Sequence, residues 1–193
     1  MDSKTGFNIF QGKKVRLRPK TIGDMEKELL KIENNEYDTE IDRLCDVIYL
    51  PNSAEVRRAS FESDTKAFNT WERCSLVIET LDNIAVGGIV VTNTNYTNGT
   101  FAYGLGVGRE YWRRGYASEA IRLLLNYYFS ELRFNKCNVT VYDFNEGSKE
   151  LHKFLGFTEE GRLRESKFSE GQYHDILYYG ITAKEFFALH NKM

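Results

Sequence analysis

The feature that most constrains the fold is a change of hydrophobic period near residue 115. Before it, stretches rich in β-branched residues at 75–81, 85–92 and 100–107 are separated by turn residues, which predicts three antiparallel strands. After it, apolar residues recur at helical spacing through 115–132, which predicts a helix packed on a sheet. The residues of that apolar stripe are Ala117, Ala120, Ile121, Leu124, Leu125 and Tyr128. This change of period favours a fold that mixes strands and helices over an all-helical or all-β fold.

The remaining elements fit around this centre. Strands are predicted at 14–18, 137–142, 158–166 and 173–182, and helices at 22–32, 53–68, 148–155 and from 183 onward. Thr21 is the expected N-cap of the first helix, whereas the polar stretch 34–49 has no readable period. We expect the α+β class, loosely mixed α/β, with a mostly antiparallel mixed sheet of about seven strands. One domain over 1–193 is the simplest partition, with 1–12 as a candidate flexible tail.

Composition restricts the partners. The net charge is -2 and the pI is about 6.0, which argues against general attraction to nucleic acid or to an anionic membrane. The first ten residues lack an apolar stretch of signal-peptide length, so we expect a cytoplasmic protein. Cys45, Cys74 and Cys137 are odd in number and lack metal-ligand spacing, so buried free thiols and no metal are expected. A monomer and a homodimer both remain open.

A basic turn precedes the predicted central helix. Arg113 and Arg114 provide charges that suit phosphate oxygens, and the helix start adds free N–H groups and a favourable dipole. Gly115 lets a ligand approach the backbone without a Cβ in the way, and the small Ala117 leaves room beside a bulky ligand. The alternative interpretation is an ordinary solvated turn.

A second motif follows the strand at 137–142. Asn145 can both donate and accept hydrogen bonds, which suits a ligand with amide groups. Ser148 would share a helix face with Asn145 or cap that helix. The alternative interpretation is an Asn N-cap, a surface Ser and a C-terminal Gly156.

Together the two segments resemble the motifs of the GNAT superfamily of acetyltransferases. The first is similar to Q/R-x-x-G-x-G/A, with Trp112 in the first place, Gly115 in the glycine place and Ala117 last. The Trp resembles the branch of ribosomal-protein N-terminal acetyltransferases, in which an aromatic pair precedes G-Y-A-x-E-A. That branch often has Gly where this chain has Arg113. The second segment is similar to N-x-x-S/A-x-x-L-Y-x-x-x-G-F, and the whole resemblance covers about 14–187.

The resemblance implies how acetyl-CoA binds. It predicts a V-shaped split between the strand that ends at Val107 and the strand that ends at Asp143. The pantetheine arm would pair with the main chain of the first of these strands, and the pyrophosphate would bind the basic turn. The implied cofactor residues are Leu105, Gly106, Val107, Trp112, Arg113, Arg114, Gly115, Tyr116, Ala117, Ser118, Asn145 and Ser148.

The resemblance also implies direct attack of an amine on the thioester. The acid that protonates the leaving sulfur is Ser148 or His152, since many relatives have Tyr at the His152 position. Relatives often have a Glu base where this chain has Ala102. The base therefore remains open, and its candidates are Glu79, Tyr103, Asp175 and a water chain.

The acceptor stays open at this point. The branch resemblance favours a protein N-terminus, and a small amine such as a polyamine, an antibiotic or an amino acid is the alternative. A protein lysine side chain is a third acceptor. A non-catalytic module that binds acetyl-CoA is a different class, supported by the missing Glu at Ala102. Nucleic-acid binding rests only on Arg113 and Arg114 and is opposed by the net charge.

Overall fold

The computed structural model describes residues 7–34, 36, 38–45, 52–67, 69–70 and 72–190. The strands are β1 Val15–Pro19, β2 Asn69–Thr70, β3 Arg73–Thr80, β4 Ala85–Asn95, β5 Thr100–Val107, β6 Lys136–Tyr142, β7 Thr158–Ser169 and β8 Gln172–Thr182. The helices are α1 Ile22–Glu33, α2 Thr39–Cys45, α3 Ala54–Ala67, α4 Tyr116–Ser130, α5 Glu146–Phe154 and α6 Ala183–Leu189. A short 3-10 turn spans Arg109–Tyr111.

The sheet is open and mixed. Its described strands run in the order β1-β3-β4-β5-β6-β8-β7, and the two-residue β2 pairs with β3. All neighbours are antiparallel except β5 and β6, which are parallel and pair only from Thr100–Lys136 to Ala102–Asn138. Beyond Ala102 the two strands separate, because β5 stays in register with β4 as far as Val107. The predicted mixed sheet, its class and its V-shaped split are confirmed.

The core lies between the sheet and α4. The apolar stripe of α4 packs on β5, where the ring of Phe101 stacks on that of Tyr128 at 4.3 Å. Phe101, Tyr128 and Leu124 are almost completely buried, and burial of such side chains stabilises the fold by about 1.5–3 kcal/mol each. Gly87 is required for close strand contact, since a Cβ there would lie 2.2 Å from the carbonyl oxygen of Gly106.

Polar anchors fix the edges of this core. Glu79 on β3 accepts hydrogen bonds from Arg16, at 2.6 Å, and from Arg18, at 2.7 Å. Arg18 also binds Asp24, whose carboxylate closes the capping box with Thr21 at the start of α1. These contacts join β1, β3 and α1 into one unit.

The elements agree closely with the sequence prediction, except that α2 and the two-residue β2 were not predicted. Helix α2 lies in the stretch that had no readable period, and no residue of α2 is buried, so no apolar stripe marked it. Of the three cysteines, none forms a disulfide, but only Cys137 is fully buried. The expectation of buried thiols is wrong for Cys45, which is exposed on α2, and holds only in part for Cys74.

Candidate active site

The separation of β5 from β6 opens a cleft of about 1050 Å³. One side is formed by the start of α4 and by α5, and the other by α2, so the cleft passes through the sheet. Strand ends and loops around such an opening commonly carry the reactive groups of an enzyme. The sequence-predicted cofactor residues from Leu105 to Ser118 line the cleft, apart from Arg114, and so do Asn145 and Ser148.

The basic turn has the backbone that the sequence required. Gly115 is the N-cap of α4 in the left-handed conformation, with φ 82°, and Arg113 also has a positive φ of 59°. The first N–H groups of α4 have no carbonyl partner within the helix, so they are available to an anion. Lys14 donates from Nζ to the Arg114 carbonyl at 2.9 Å, which braces the turn from outside.

Trp112 ties this turn to the end of β5. Its indole Nε1 donates to the Val107 carbonyl at 2.7 Å, and the guanidinium of Arg109 lies 5.1 Å from its ring. An indole has one N–H and no acceptor, so this bond fixes the ring at the split of the sheet. The unusual Trp of the motif therefore has a structural role at the cofactor side of the cleft.

Asn145 uses both halves of its amide within the protein. The oxygen accepts from the Ser148 N–H at 3.0 Å and caps α5, while Nδ2 donates to the Leu44 carbonyl at 3.3 Å. The capping alternative raised from the sequence is therefore present. Asn145 connects α5 to α2 across the mouth of the cleft.

Three polar side chains from β5 and α5 meet inside the cleft. Tyr103 Oη lies 3.0 Å from His152 Nε2. The other ring nitrogen, Nδ1, lies 2.7 Å from the Ser148 carbonyl and 3.3 Å from Ser148 Oγ. A carbonyl can only accept, so Nδ1 carries the proton and Nε2 accepts the phenol proton of Tyr103. The Ser148 hydroxyl keeps its own proton for a group in the cleft.

Burial determines the protonation state of His152 and of Tyr103. Burial lowers the pKa of His152 below its ordinary value, although the bond to the Ser148 carbonyl opposes the shift. Burial also raises the pKa of Tyr103 well above its ordinary value. Both side chains are therefore neutral near pH 7.

The two carboxylates named as base candidates do not line the cleft. Burial raises the pKa of Glu79, but the hydrogen bonds from Arg18 and Arg16 outweigh it and the net pKa is lowered. Asp175 accepts from the Glu165 N–H at 2.9 Å and from Arg162 at 3.0 Å. The Glu165 bond is the largest cause of the lowered pKa of Asp175.

Helix α2 forms one wall of the cleft, and the sequence analysis did not predict this helix. It presents Ile41, Leu44 and Cys45 to the cleft. Its start is held by Arg109, which binds Asp38 at 3.1 Å and Glu40 at 2.8 Å. Only the acidic run at 33–40 marked this region in the sequence, and acidic runs are more often solvated faces.

A family model described as acetyltransferase (GNAT) domain matches residues 14–158. The chain is a member of the GNAT acetyltransferase family. It is 38% identical over 149 residues to the SPbeta prophage-derived uncharacterized N-acetyltransferase YokL of Bacillus subtilis, covering 77% of this chain and 82% of YokL. Like these GNAT relatives it is an acyltransferase, and the motif resemblance is confirmed.

Two further comparisons bear on the branch and the fold. The chain is 30% identical over 104 residues to the Bacillus subtilis protein named "Putative ribosomal N-acetyltransferase YdaF", covering 54% of this chain and 57% of YdaF. The structure of spermidine N-acetyltransferase from Vibrio cholerae in complex with CoA and spermine superposes with a TM-score of 0.75. That match has 20% identity and covers 91% of this chain and 99% of the other.

Within the described ranges, no helix is long and apolar enough to cross a membrane.

Proposed function

We propose that this GNAT protein transfers an acetyl group from acetyl-CoA to a primary amine by direct attack on the thioester. The observation that carries the proposal is one continuous cleft that joins the left-handed Gly115 turn to the Ser148 hydroxyl. The turn fits the pyrophosphate for three reasons. Lys14 braces its backbone, Arg113 adds a positive charge that lines the cleft, and the first N–H groups of α4 are open to an anion. Beyond Ala102 the edge of β5 no longer pairs with β6, so its main chain between Ala102 and the Val107 carbonyl bound by Trp112 fits the amide groups of pantetheine.

The chemistry needs one proton at the leaving group. The amine nitrogen attacks the thioester carbon, the C–N bond forms and the C–S bond breaks, and its electron pair remains on sulfur. The Ser148 hydroxyl donates a proton to that thiolate and regains one from water. His152 is a positioning residue here, because its Nδ1 proton is already donated to the Ser148 carbonyl.

The amine loses its proton to water in the cleft. Tyr103 keeps its own proton, since its pKa is raised, and neither Glu79 nor Asp175 lines the cleft. We therefore leave all three out of the role of base. This assignment agrees with Ala102 in the place where relatives often have Glu.

Two acceptor classes are supported by relatives. The likeness to YdaF, whose name is putative ribosomal N-acetyltransferase, supports a ribosomal acceptor. The 26% identity over 152 residues to spermidine N(1)-acetyltransferase of Escherichia coli supports a small amine. Both classes present a primary amine that must lose a proton before its nitrogen attacks the thioester, so the mechanism above serves either.

The test begins with binding. Acetyl-CoA at about 100 times its dissociation constant should stabilise the fold by about 2.7 kcal/mol, which a melting curve detects, whereas ATP as a polyanion control should give no comparable shift. Gly115→Glu should abolish the shift. Gly171→Glu is a matched control, because Gly171 has a similar φ of 80° but lies in the β7–β8 turn with open space around it. Release of CoA thiol with a panel of amines then measures transfer.

Absence of a melting shift at millimolar acetyl-CoA would refute the proposed donor. A shift without thiol release for any amine would instead support the non-catalytic binding module.

A further inference from the structure

The cleft has two chemically different halves because it passes through the sheet. Along β5, the side chains of Phe101 and Tyr103 point to the α4 and α5 face, where they contact Tyr128 and His152. Alternate residues of a strand point to opposite faces, so Gly104 belongs to the other half, which α2 covers. The cofactor turn and Ser148 belong to the first half, so the α2 half receives the acceptor.

The floor of this acceptor half is made of glycine. Gly104 and Gly106 on β5 lie opposite Val90 and Gly88 on β4. A Cβ built on Gly104 meets nothing within 4 Å, and one on Gly106 lies 3.7 Å from the Cys45 sulfur. The floor is therefore flat and open at Gly104, and narrow where Cys45 covers Gly106.

Aromatic rings form one wall. Tyr142 and Phe144 stack with their centroids 5.4 Å apart and their planes at 21°. The His174 ring braces Phe144 edge to face at 4.6 Å, and Asp143 pairs with His174 at 3.1 Å. Lys167 Nζ lies 4.6 Å from the centroid of the Tyr142 ring, so this wall is a braced aromatic surface with one cation over it. Aromatic rings prefer offset or edge-on contact with further rings.

The opposite wall is apolar and almost uncharged. Ile41 and Leu44 of α2 face the cleft, and the Leu44 carbonyl is tied by Asn145. The carboxylates among the described residues that line the cleft are Glu40, Glu146 and Glu150. Arg109 binds Glu40 at 2.8 Å and Lys149 binds Glu146 at 2.5 Å, so two of the three are already paired with a cation of the protein. A polycation bound here would need several carboxylates to replace its water, whereas a flat apolar group would bury its surface on all sides.

We infer that the acceptor is a small arylalkylamine, a primary amine joined by a short chain to a flat aromatic ring. The ring occupies the slot between α2 and the Tyr142–Phe144 wall above the glycine floor, and the amine points through the split toward Ser148. This inference rests on the proposed acetyl transfer and narrows its acceptor.

The test compares three acceptors by release of CoA thiol. We expect kcat/KM for 2-phenylethylamine to exceed that for spermidine, and for a peptide with a free N-terminal serine, by about tenfold or more. A Cβ at Gly104 meets nothing within 4 Å, so Gly104→Val adds side-chain atoms to the slot and should reduce kcat/KM for 2-phenylethylamine by about tenfold or more. The matched control is Gly161→Val, because a Cβ at Gly161 also meets nothing within 4 Å but lies on β7, outside the cleft-lining residues.

Three results would overturn the inference. Preference for spermidine or for the peptide contradicts the acceptor class while leaving acetyl transfer intact. Equal loss in Gly104→Val and Gly161→Val contradicts the assigned slot. No turnover of any amine refutes both acetyl transfer and the acceptor, and the acetyl-CoA melting shift then shows separately whether the donor site is correct.

Discussion

At the scale of single residues, the candidate site is organised around one proton. His152 has two ring nitrogens with fixed and different partners, the Ser148 carbonyl on one side and the Tyr103 hydroxyl on the other. Donation from Nδ1 and acceptance at Nε2 require a single neutral tautomer. The consequence falls on Ser148, whose hydroxyl proton remains available to a group in the cleft, which we propose is the leaving sulfur.

The Ser148→Ala variant tests that consequence. We expect kcat to fall by about 100-fold, since loss of a general acid typically costs 10²–10⁴ in rate, with an unchanged dissociation constant for acetyl-CoA. Steady-state kinetics and calorimetric titration make the two measurements. Ser130→Ala, at the far end of α4, is the control. An unchanged kcat would remove Ser148 from the role of acid.

The Tyr103→Phe variant tests the tautomer. Without the phenol donor, Nε2 of His152 loses a hydrogen bond that only the neutral ring can accept, so the acid-side fall in activity should begin at a higher pH than in the wild type. Burial lowers the pKa of His152 in both proteins, so the comparison isolates the Tyr103 hydroxyl. The groups that face the ring are Tyr103, Ser148 and Tyr179, whose hydroxyl binds Glu159.

Tyr179→Phe is the matched control for this pH profile. The Tyr179 ring stacks on His152 at 6.2 Å, but its hydroxyl binds Glu159 rather than His152. The same acid-side loss in both variants would mean that ring packing, and not the Tyr103 hydroxyl, governs the titration.

At the scale of elements, the first turn of α4 is connected to the start of β1 by the carboxylate of one residue. Glu119, in the first turn of α4, accepts from the backbone N–H groups of Lys13, Lys14 and Val15 at 3.1, 2.7 and 2.7 Å. We expect Glu119→Gln to lower the free energy of unfolding by about 1–3 kcal/mol, measured by urea denaturation. Hydrogen exchange should accelerate at 13–15. Unchanged exchange there would show that the carboxylate does not hold this segment.

Glu79 joins β3 to β1 through Arg16 and Arg18, and a substitution there tests whether its carboxylate has a structural or a catalytic role. Glu79→Gln weakens two charged hydrogen bonds to partly exposed arginines, so we expect a loss of about 1–3 kcal/mol in unfolding free energy. We expect kcat to stay within about twofold of wild type, since Glu79 does not line the cleft, and removal of a true base would cost 100-fold or more. A large fall in kcat with unchanged stability would restore Glu79 as the base candidate.

Sequence patterns predicted most of the elements and failed at α2. β4, β5 and α4 bury apolar residues at strand or helix spacing, so their periods were readable, and β7 was predicted although it buries no residue. Helix α2 buries no residue, and its contacts are made by Arg109, Asn145 and exposed acids. The lining residues beside α4 could therefore be named from the sequence, apart from Arg114, while the lining contributed by α2 depends on tertiary contacts that no local period records. The roles of these residues stay predictions.

At the scale of the whole molecule, the proposed active site contributes to the pH dependence of stability. His152 lies in the centre of a packed group with Tyr103, Phe157 and Tyr179, and burial lowers its pKa. The unfolded chain then binds more protons than the folded chain at pH values between the lowered pKa and about 6.5. The stabilisation is present above pH 6.5 and is lost as the pH falls.

The His152→Gln variant isolates this contribution. Over pH 7.5 to 5.5, the wild-type free energy of unfolding should fall with a slope of up to about 1.4 kcal/mol per pH unit from this one group, and the variant should lack that part of the slope. Carboxylates with lowered pKa, such as Glu79 and Asp175, act at more acidic pH and cancel in the difference. Denaturant unfolding of both proteins without acetyl-CoA measures it. Parallel pH curves would mean that His152 titrates equally in both states, which contradicts a neutral His152 held between Tyr103 and Ser148.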